Sequence, residues 1–347
     1  MLGYFLLILG IILSSILFKG NKQLLFMFIA IAIFSSIRYG IGYDYYSYLE
    51  ECSGLKHNEN NELIPYLMQE LSKETIPFLF FFLSSFFISF FYYLGIKKTG
   101  VDYLLCTMFY IAFPFLFMNQ LGVIRQGMAT AVVFCVIAMH NEKLYKRIIL
   151  LVIACLCHQS ALIGFVVLFP WHKIPLGVLW GMVLAGSLLG TLLLPLLNNF
   201  INLGFLSEIG TEKAINYLGN ESSGEGRFIQ LLIYVIGFFV LVKYKKIIHY
   251  NSNNKYYIGL LIFGVILFAM FSFNISLAKR LSMFFFSSAI IIMPYLVKSF
   301  RVSRAFFVAI CLALFAMTIY AGSGNIRDED SPGYSVTYPY RTIFHLL

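Results

Sequence analysis

Residues 148–170 read IILLVIACLCHQSALIGFVVLFP, and the direction in which this run ends decides how the rest of the chain is laid out. It is long enough to cross a bilayer once, since about 20 residues at 1.5 Å each span the hydrocarbon core. Arg147 and Lys173 bracket it, and basic residues in short loops collect on the cytoplasmic side. A single crossing puts the two on opposite sides and inverts every later loop. A re-entrant hairpin keeps them together: in along 148–157, a turn at His158-Gln159-Ser160, and back along 161–170. Irregular backbone at that depth is tolerated where it is buried in protein or lines a watery cavity. The hairpin then sets His158 at the floor of a cavity open to the outside. The other arrangement is a plain span with Lys173 as one exception to the charge rule.

The surrounding chain has a matching composition. Of 347 residues, 60% are hydrophobic and 12% charged, with a mean hydropathy of +0.83; soluble domains carry about 25% charge. The chain reads as an all-α integral membrane protein, one polytopic domain over 1–347. Apolar runs lie at about 2–18, 23–37, 76–95, 101–119, 121–140, 148–170, 176–198, 228–242, 256–275, 277–297 and 305–321. With the hairpin they make about 11–12 transmembrane segments. The first run lacks the basic start and small-residue cleavage site of a signal peptide and reads as a span. The net charge of +9 sits in short loops, so it reports topology and not a nucleic-acid partner. Of the 16 acids, all except Asp102 and Glu142 fall in 38–75, 201–227 and 322–347. These are the expected extracytoplasmic loops and tail, with the N-terminus outside. Five of the six cysteines lie in apolar runs, which argues against a disulfide framework.

With this topology Arg38, Arg125, Arg227, Arg280, Arg341 and His158 gather at the outer face. A cation in a bilayer costs roughly 2.5–3.5 kcal/mol on insertion scales. One such arginine is an interfacial anchor; several on the side poorer in basic residues point to an anionic ligand. Guanidinium forks match phosphate oxygens and stabilise charge on a departing diphosphate. In the stretch RYGIGYDYYSY at 38–48, Asp44 is a candidate base and His158 its rival. Gly40 and Gly42 let the chain turn sharply. Tyr43, Tyr45, Tyr46 and Tyr48 offer flat faces for sugar rings, or else form an interfacial belt. There is no His-x-x-x-His or Cys-x-x-Cys spacing for a metal and no phosphate-binding Gly-x-x-x-x-Gly-Lys loop. Any chemistry uses a substrate that arrives activated.

Five segments, in order, resemble the EpsG-like branch of the Wzy-type polysaccharide polymerases. They are Arg38-x-x-x-Gly42-x-Asp44-Tyr45-x-x-Tyr48, Arg125-Gln126-Gly-Met-Ala, His158-x-Ser160-Ala161, Ala278-Lys-Arg280 and Tyr338-Pro339-Tyr340-Arg341. The resemblance implies a GT-C-like helical fold in the bacterial inner membrane with its active site facing outward. It implies an inverting, metal-independent glycosyltransferase without a cofactor, joining undecaprenyl-diphosphate-linked repeat units by block transfer. Donor and acceptor glycans, membrane lipid and a chain-length regulator are the partners implied. Arg125 and Arg280, with Arg38, Arg341 or Arg227, are expected to hold the pyrophosphate, and Asp44 or His158 to take the acceptor proton. Tyr45, Tyr48, Gln126, Tyr338 and Tyr340 are expected to meet the glycan. A ligase with the same lipid donor, or a flippase of lipid-linked oligosaccharide, is the alternative.

Overall fold

The computed structural model describes residues 2–42, 44–56, 62–202, 224–323 and 340–346. Among these the chain is helical except for short connections and one antiparallel strand pair. In that pair β1 (Arg38–Tyr39) meets β2 (Arg341–Thr342), with Arg38 opposite Thr342 and Tyr39 opposite Arg341. The chain divides into two compact units, Met1–Val166 with Arg301–Leu347, and Val167–Phe300.

The first unit contains α1 (Leu2–Leu17), α2 (Asn21–Ser36), α3 (Tyr45–Cys52), α4 (Leu63–Glu74), α5 (Leu79–Thr99) and α6 (Tyr103–Ala112). It continues with α7 (Phe117–Gly122), α8 (Ile124–Ala138), α9 (Leu144–Cys157) and a 3-10 helix, Gln159–Leu168. Helix α5 is the hub, packed on α2, α4 and α8. Its 21 residues reach about 30 Å. It ends where Lys97 and Lys98 complement the carbonyl end and Gly100 takes a left-handed conformation, φ 63°. Gly95 lets the Phe134 ring of α8 sit close, 2.6 Å from where a Cβ would be.

Around a buried apolar core, α4 and α5 also turn large apolar side chains outward and polar ones inward. On α4, Pro65, Gln69 and Ser72 are buried, whereas Leu67 is 56% and Leu71 47% exposed. On α5, Ser84, Ser85 and Ser89 point inward while Phe82 and Phe90 face out. Water would reward the opposite arrangement. Segment 38–75, read as an acidic loop, therefore holds two ordered helices, and Gln69 Nε2 donates to Glu51 Oε2 at 2.6 Å between them.

The run 148–170 folds back on itself. His158 is extended (φ −163°, ψ 130°) and ends α9. A Cβ on Gly164 would stand 3.4 Å from Leu151 Cδ2 of α9 and 3.0 Å from Val133 Cγ2 of α8. A straight helix would separate positions 151 and 164 by about 20 Å. The arms match: 14 residues of α helix and 10 of 3-10 helix each give about 20 Å.

The two acids that depart from the charge pattern are both paired. Asp102 caps α6 through Leu105 N–H at 3.2 Å and accepts Arg304 Nε at 2.6 Å. Glu142 accepts Lys98 at 2.5 Å and Lys146 at 3.3 Å. Arg304 opens α16 (Arg304–Ser323), which packs on α6 and returns the chain to this unit.

The second unit begins with a short 3-10 turn (Trp171–Lys173), α10 (Leu176–Asn202), α11 (Gly224–Val242) and α12 (Tyr244–Tyr250). It is completed by α13 (Asn254–Met270), α14 (Ile275–Phe286) and α15 (Ala289–Phe300). Helix α13 is its hub, touching the 3-10 turn and each of the other helices. Glycines set the close approaches: Gly186 and Gly190 of α10 lie on Ile266 and Ala269 of α13, and Gly264 lies on Phe286 of α14. Small residues at such contacts let backbones approach.

Two expected spans are broken. The run 101–119 stops at Ala112, before Pro114, and resumes at Phe117, because proline removes a helix donor. The run 277–297 bends by 70° between Phe286 and Ala289. There Ser287 and Ser288 hydroxyls each donate to the carbonyl three residues back at 2.7 Å. Among the described residues, Leu79–Thr99 alone is long and apolar enough to cross a bilayer as one straight helix, and the bent pair is a second candidate. The remaining apolar stretches are 10–17 residues long.

Candidate functional site

Four side chains from different parts of the first unit meet at the apex of the folded-back run. Arg125 is the second residue of α8, His158 is the turn after α9, Glu62 precedes α4, and Tyr48 belongs to α3. Glu62 joins them. Its Oε2 pairs with Arg125 Nη1, and its Oε1 lies 3.1 Å from His158 Nδ1 and 3.4 Å from the Gln159 N–H. Arg125 Nε donates to the Tyr48 hydroxyl at 3.0 Å, with its guanidinium carbon 6.0 Å from the Tyr48 ring centre.

The cluster is half open. The Glu62 side chain is 8% exposed, against 30% for Arg125 and 26% for His158. Burial alone would raise the Glu62 pKa, but the His158 hydrogen bond and the Arg125 charge outweigh it and bring it down to about 2. Glu62 is therefore a carboxylate at neutral pH. Two partners compete for Nδ1: a proton on it is donated to Glu62 Oε1 at 3.1 Å, whereas a lone pair would accept Ser160 N–H at 3.4 Å. The shorter, charge-assisted bond favours Nδ1–H and leaves Nε2 as the basic nitrogen.

Helix α3 is carried to this place by the segment containing Arg38. That side chain is 1% exposed. It donates from Nε to Ile41 O at 3.0 Å, from Nη2 to Leu121 O at 3.3 Å, and from Nη1 to Ser85 Oγ at 3.3 Å and to Ser35 O. It also lies 5.3 Å from the Phe81 ring centre. Gly42 has φ 120°, and a Cβ there would collide with the Leu121 carbonyl oxygen. Arg38 and Gly42 thus clamp the chain to the end of α7, and Asp44 N–H reaches Gly122 O at 3.4 Å. Asp44 occupies the N-cap position of α3, four residues before Tyr48.

The other expected site residues divide by burial and place. Tyr45 is fully buried and stacked on Phe81, ring centres 4.3 Å apart. Gln126 is 2% exposed. Tyr340 stacks on Phe34 at 4.3 Å, lies edge-on to Tyr4 at 5.4 Å, and donates its hydroxyl to Phe34 O. Arg341 is exposed beside Tyr39 through the strand pair. Arg280 lies on α14 in the second unit, half-buried, two residues beyond buried Ala278. Tyr338 lies outside the described residues, as does the Arg227 side chain.

Glu62 was not among the residues singled out in the sequence. It is one of seven acids in 38–75, and its partners are 63 and 96 positions away. The available signal was its place directly before LIPYL, an acid at the mouth of an apolar run.

A family model described as the EpsG family matches residues 21–342. The chain belongs to the EpsG family. That is the family of Wzy-type polysaccharide polymerases, a glycosyltransferase-like group. The matched residues of this EpsG-family chain hold Glu62, Arg125, His158 and all five motif segments. No curated protein and no solved structure matches the chain.

Proposed function

We propose that this protein polymerises lipid-diphosphate-linked oligosaccharide repeat units at the outer face of the bacterial inner membrane. The observation that carries the reading is the junction of Arg125, His158, Glu62 and Tyr48 at the apex of the folded-back run, in a chain of the EpsG family. Arg125 binds phosphate oxygens of the undecaprenyl diphosphate donor. His158 Nε2 takes the proton of the acceptor sugar hydroxyl as its oxygen attacks the anomeric carbon. The bond from that carbon to the diphosphate oxygen breaks, and the diphosphate leaves carrying the electron pair. One displacement inverts the anomeric centre. His158 is preferred to Asp44 as base because Glu62 holds its other nitrogen.

Membrane embedding is supported by the outward-facing large apolar side chains of α4 and α5. Two arms of about 20 Å are each short of the roughly 30 Å hydrocarbon core, which supports a re-entrant hairpin. Arg280 in the second unit is proposed as a phosphate contact in its own right, and Arg341 as a contact at the exposed tail.

The test is deletion and complementation, read as a glycan ladder on a gel. The deletion strain is expected to show glycan of a single repeat, and the wild-type gene to restore the ladder. Arg125→Ala and Arg280→Ala are each expected to reach the membrane yet leave the single-repeat band. Unattached long polymer in the deletion strain would instead identify a ligase, and normal chain length with Arg125→Ala would remove Arg125 from the reaction.

A further inference from the structure

Glu62 grips two groups with opposite needs, and that is the unusual feature of this junction. One oxygen pairs with the Arg125 guanidinium, where a phosphate oxygen would bind, and the other holds the His158 imidazole at 3.1 Å. Carboxylate and phosphate oxygens suit the same guanidinium edge. The side of Arg125 toward α3 is already taken by Tyr48, so an arriving diphosphate meets Glu62 as competitor or as a like charge.

We propose that Glu62 is a positioning residue that keeps the phosphate seat on Arg125 until the diphosphate-bearing lipid displaces it, and that orients the His158 base throughout. This deepens the polymerase reading and rests on it. In the unliganded site, Arg125 is neutralised by its own carboxylate, which avoids an unpaired cation at the membrane. When the diphosphate takes the seat, Glu62 keeps only the bond to Nδ1 and the Gln159 N–H. Its full charge then stabilises the imidazolium formed as Nε2 accepts the hydroxyl proton. Binding the donor thereby strengthens the base, so proton removal is coupled to an occupied site.

Several charges face the imidazole or its neighbours. Glu62 lies 3.1 Å from it, and Arg125 pairs with the other oxygen of that carboxylate. Cys157 adjoins it on α9, and Tyr48, with Asp44 and Glu51 of α3 acting on Tyr48, lies behind Arg125. Substituting Glu62 removes the nearest negative charge, so the imidazolium formed on proton uptake loses its partner. Loss of the competitor acts in the other direction on binding.

Two measurements on the full-length protein separate these effects: affinity for undecaprenyl diphosphate in detergent, and polymerisation in proteoliposomes across pH. Glu62→Gln is expected to bind undecaprenyl diphosphate roughly tenfold tighter, a size common for coupling between neighbouring sites. It should show lower kcat together with lower KM, and an acid limb of kcat moved to lower pH. Glu62→Asp, which keeps the charge, should return the acid limb toward wild type. Weaker or unchanged diphosphate binding by Glu62→Gln, or an unmoved acid limb, would overturn the proposal while wild-type polymerisation still stands. If Glu62→Gln fails to fold, Glu62→Asp decides: its shorter reach weakens the pair with Arg125, so undecaprenyl diphosphate binding no tighter than wild type in that variant would overturn the proposal. If polymerisation is absent from the wild type itself, the polymerase reading falls first.

Discussion

At the scale of single residues, Arg38 and Arg125 show how the same side chain takes opposite tasks. Both stand beside apolar runs in the sequence, and both looked suited to phosphate. Arg38 points its donors at three backbone carbonyls and Ser85, whereas Arg125 presents a part-exposed guanidinium to Glu62 and Tyr48. The motif around Arg38 and Gly42 is therefore a clamp that delivers α3, and through it Tyr48, to the junction. Its most sensitive position is Gly42: positive φ and the Leu121 carbonyl leave no room for a methyl group. Gly42→Ala is expected to lose several kcal/mol of stability, since strain of about 1–3 kcal/mol adds to the clash. Thermal unfolding of the detergent-purified protein checks this, and a melting point within a degree of wild type would contradict it. Arg125 and His158 were legible because a cation in an apolar run is costly and conspicuous. Glu62 was not, because an acid among acids in a polar segment is ordinary until its distant partners are seen.

At the scale of elements, the folded-back run and α4 carry most of the meaning. Parity of the basic loops already favoured a hairpin at 148–170, and the contact of position 164 with Leu151 shows the chain turning there. His158 and its neighbours can turn because the backbone at 158 is extended and the return arm is a tighter helix. A re-entrant hairpin returns Lys173 to the side of Lys143. Single cysteines at the two positions are therefore expected to react together with a membrane-impermeant maleimide, from the cytoplasmic side only. Labelling of the two from opposite sides would make the run a plain span. Helix α4 was missed within its acidic segment since its apolar stripe faces outward and its polar stripe inward. An inverted pattern reads as amphipathic from sequence, but sequence alone does not say which face the protein keeps. The broken runs at 101–119 and 277–297 follow from Pro114 and from paired serines at 287 and 288. The proline was visible in the sequence; the 70° bend depends on packing against α13.

At the scale of the molecule, chain ends far apart in sequence close the first unit. Tyr340 packs against Phe34 and Tyr4, with its hydroxyl on Phe34 O, and the strand pair places Arg341 opposite Tyr39. Tyr340→Ala removes a half-buried ring and its hydrogen bond, and is expected to cost about 3 kcal/mol, at the low end for aromatic truncation. Tyr340→Phe, losing only the hydrogen bond, should cost about 1 kcal/mol. Denaturant or thermal unfolding in detergent distinguishes the two; equal losses would mean that the hydroxyl and not the ring fastens the tail.

Composition and charge order by themselves determined that this is a chain of apolar helices, where most of those helices begin and end, and a set of side chains to watch, Arg125 and His158 among five arginines, one histidine and Asp44. Those signals are local: hydrophobic runs and loop charges lie within a few turns of the residues they describe. Only the tertiary structure decided that Arg38 faces inward, that α4 shows its leucines outward, and that Glu62 joins Arg125 to His158. Such pairings are through-space choices among many chemically equal residues, and packing, not spacing along the chain, makes them.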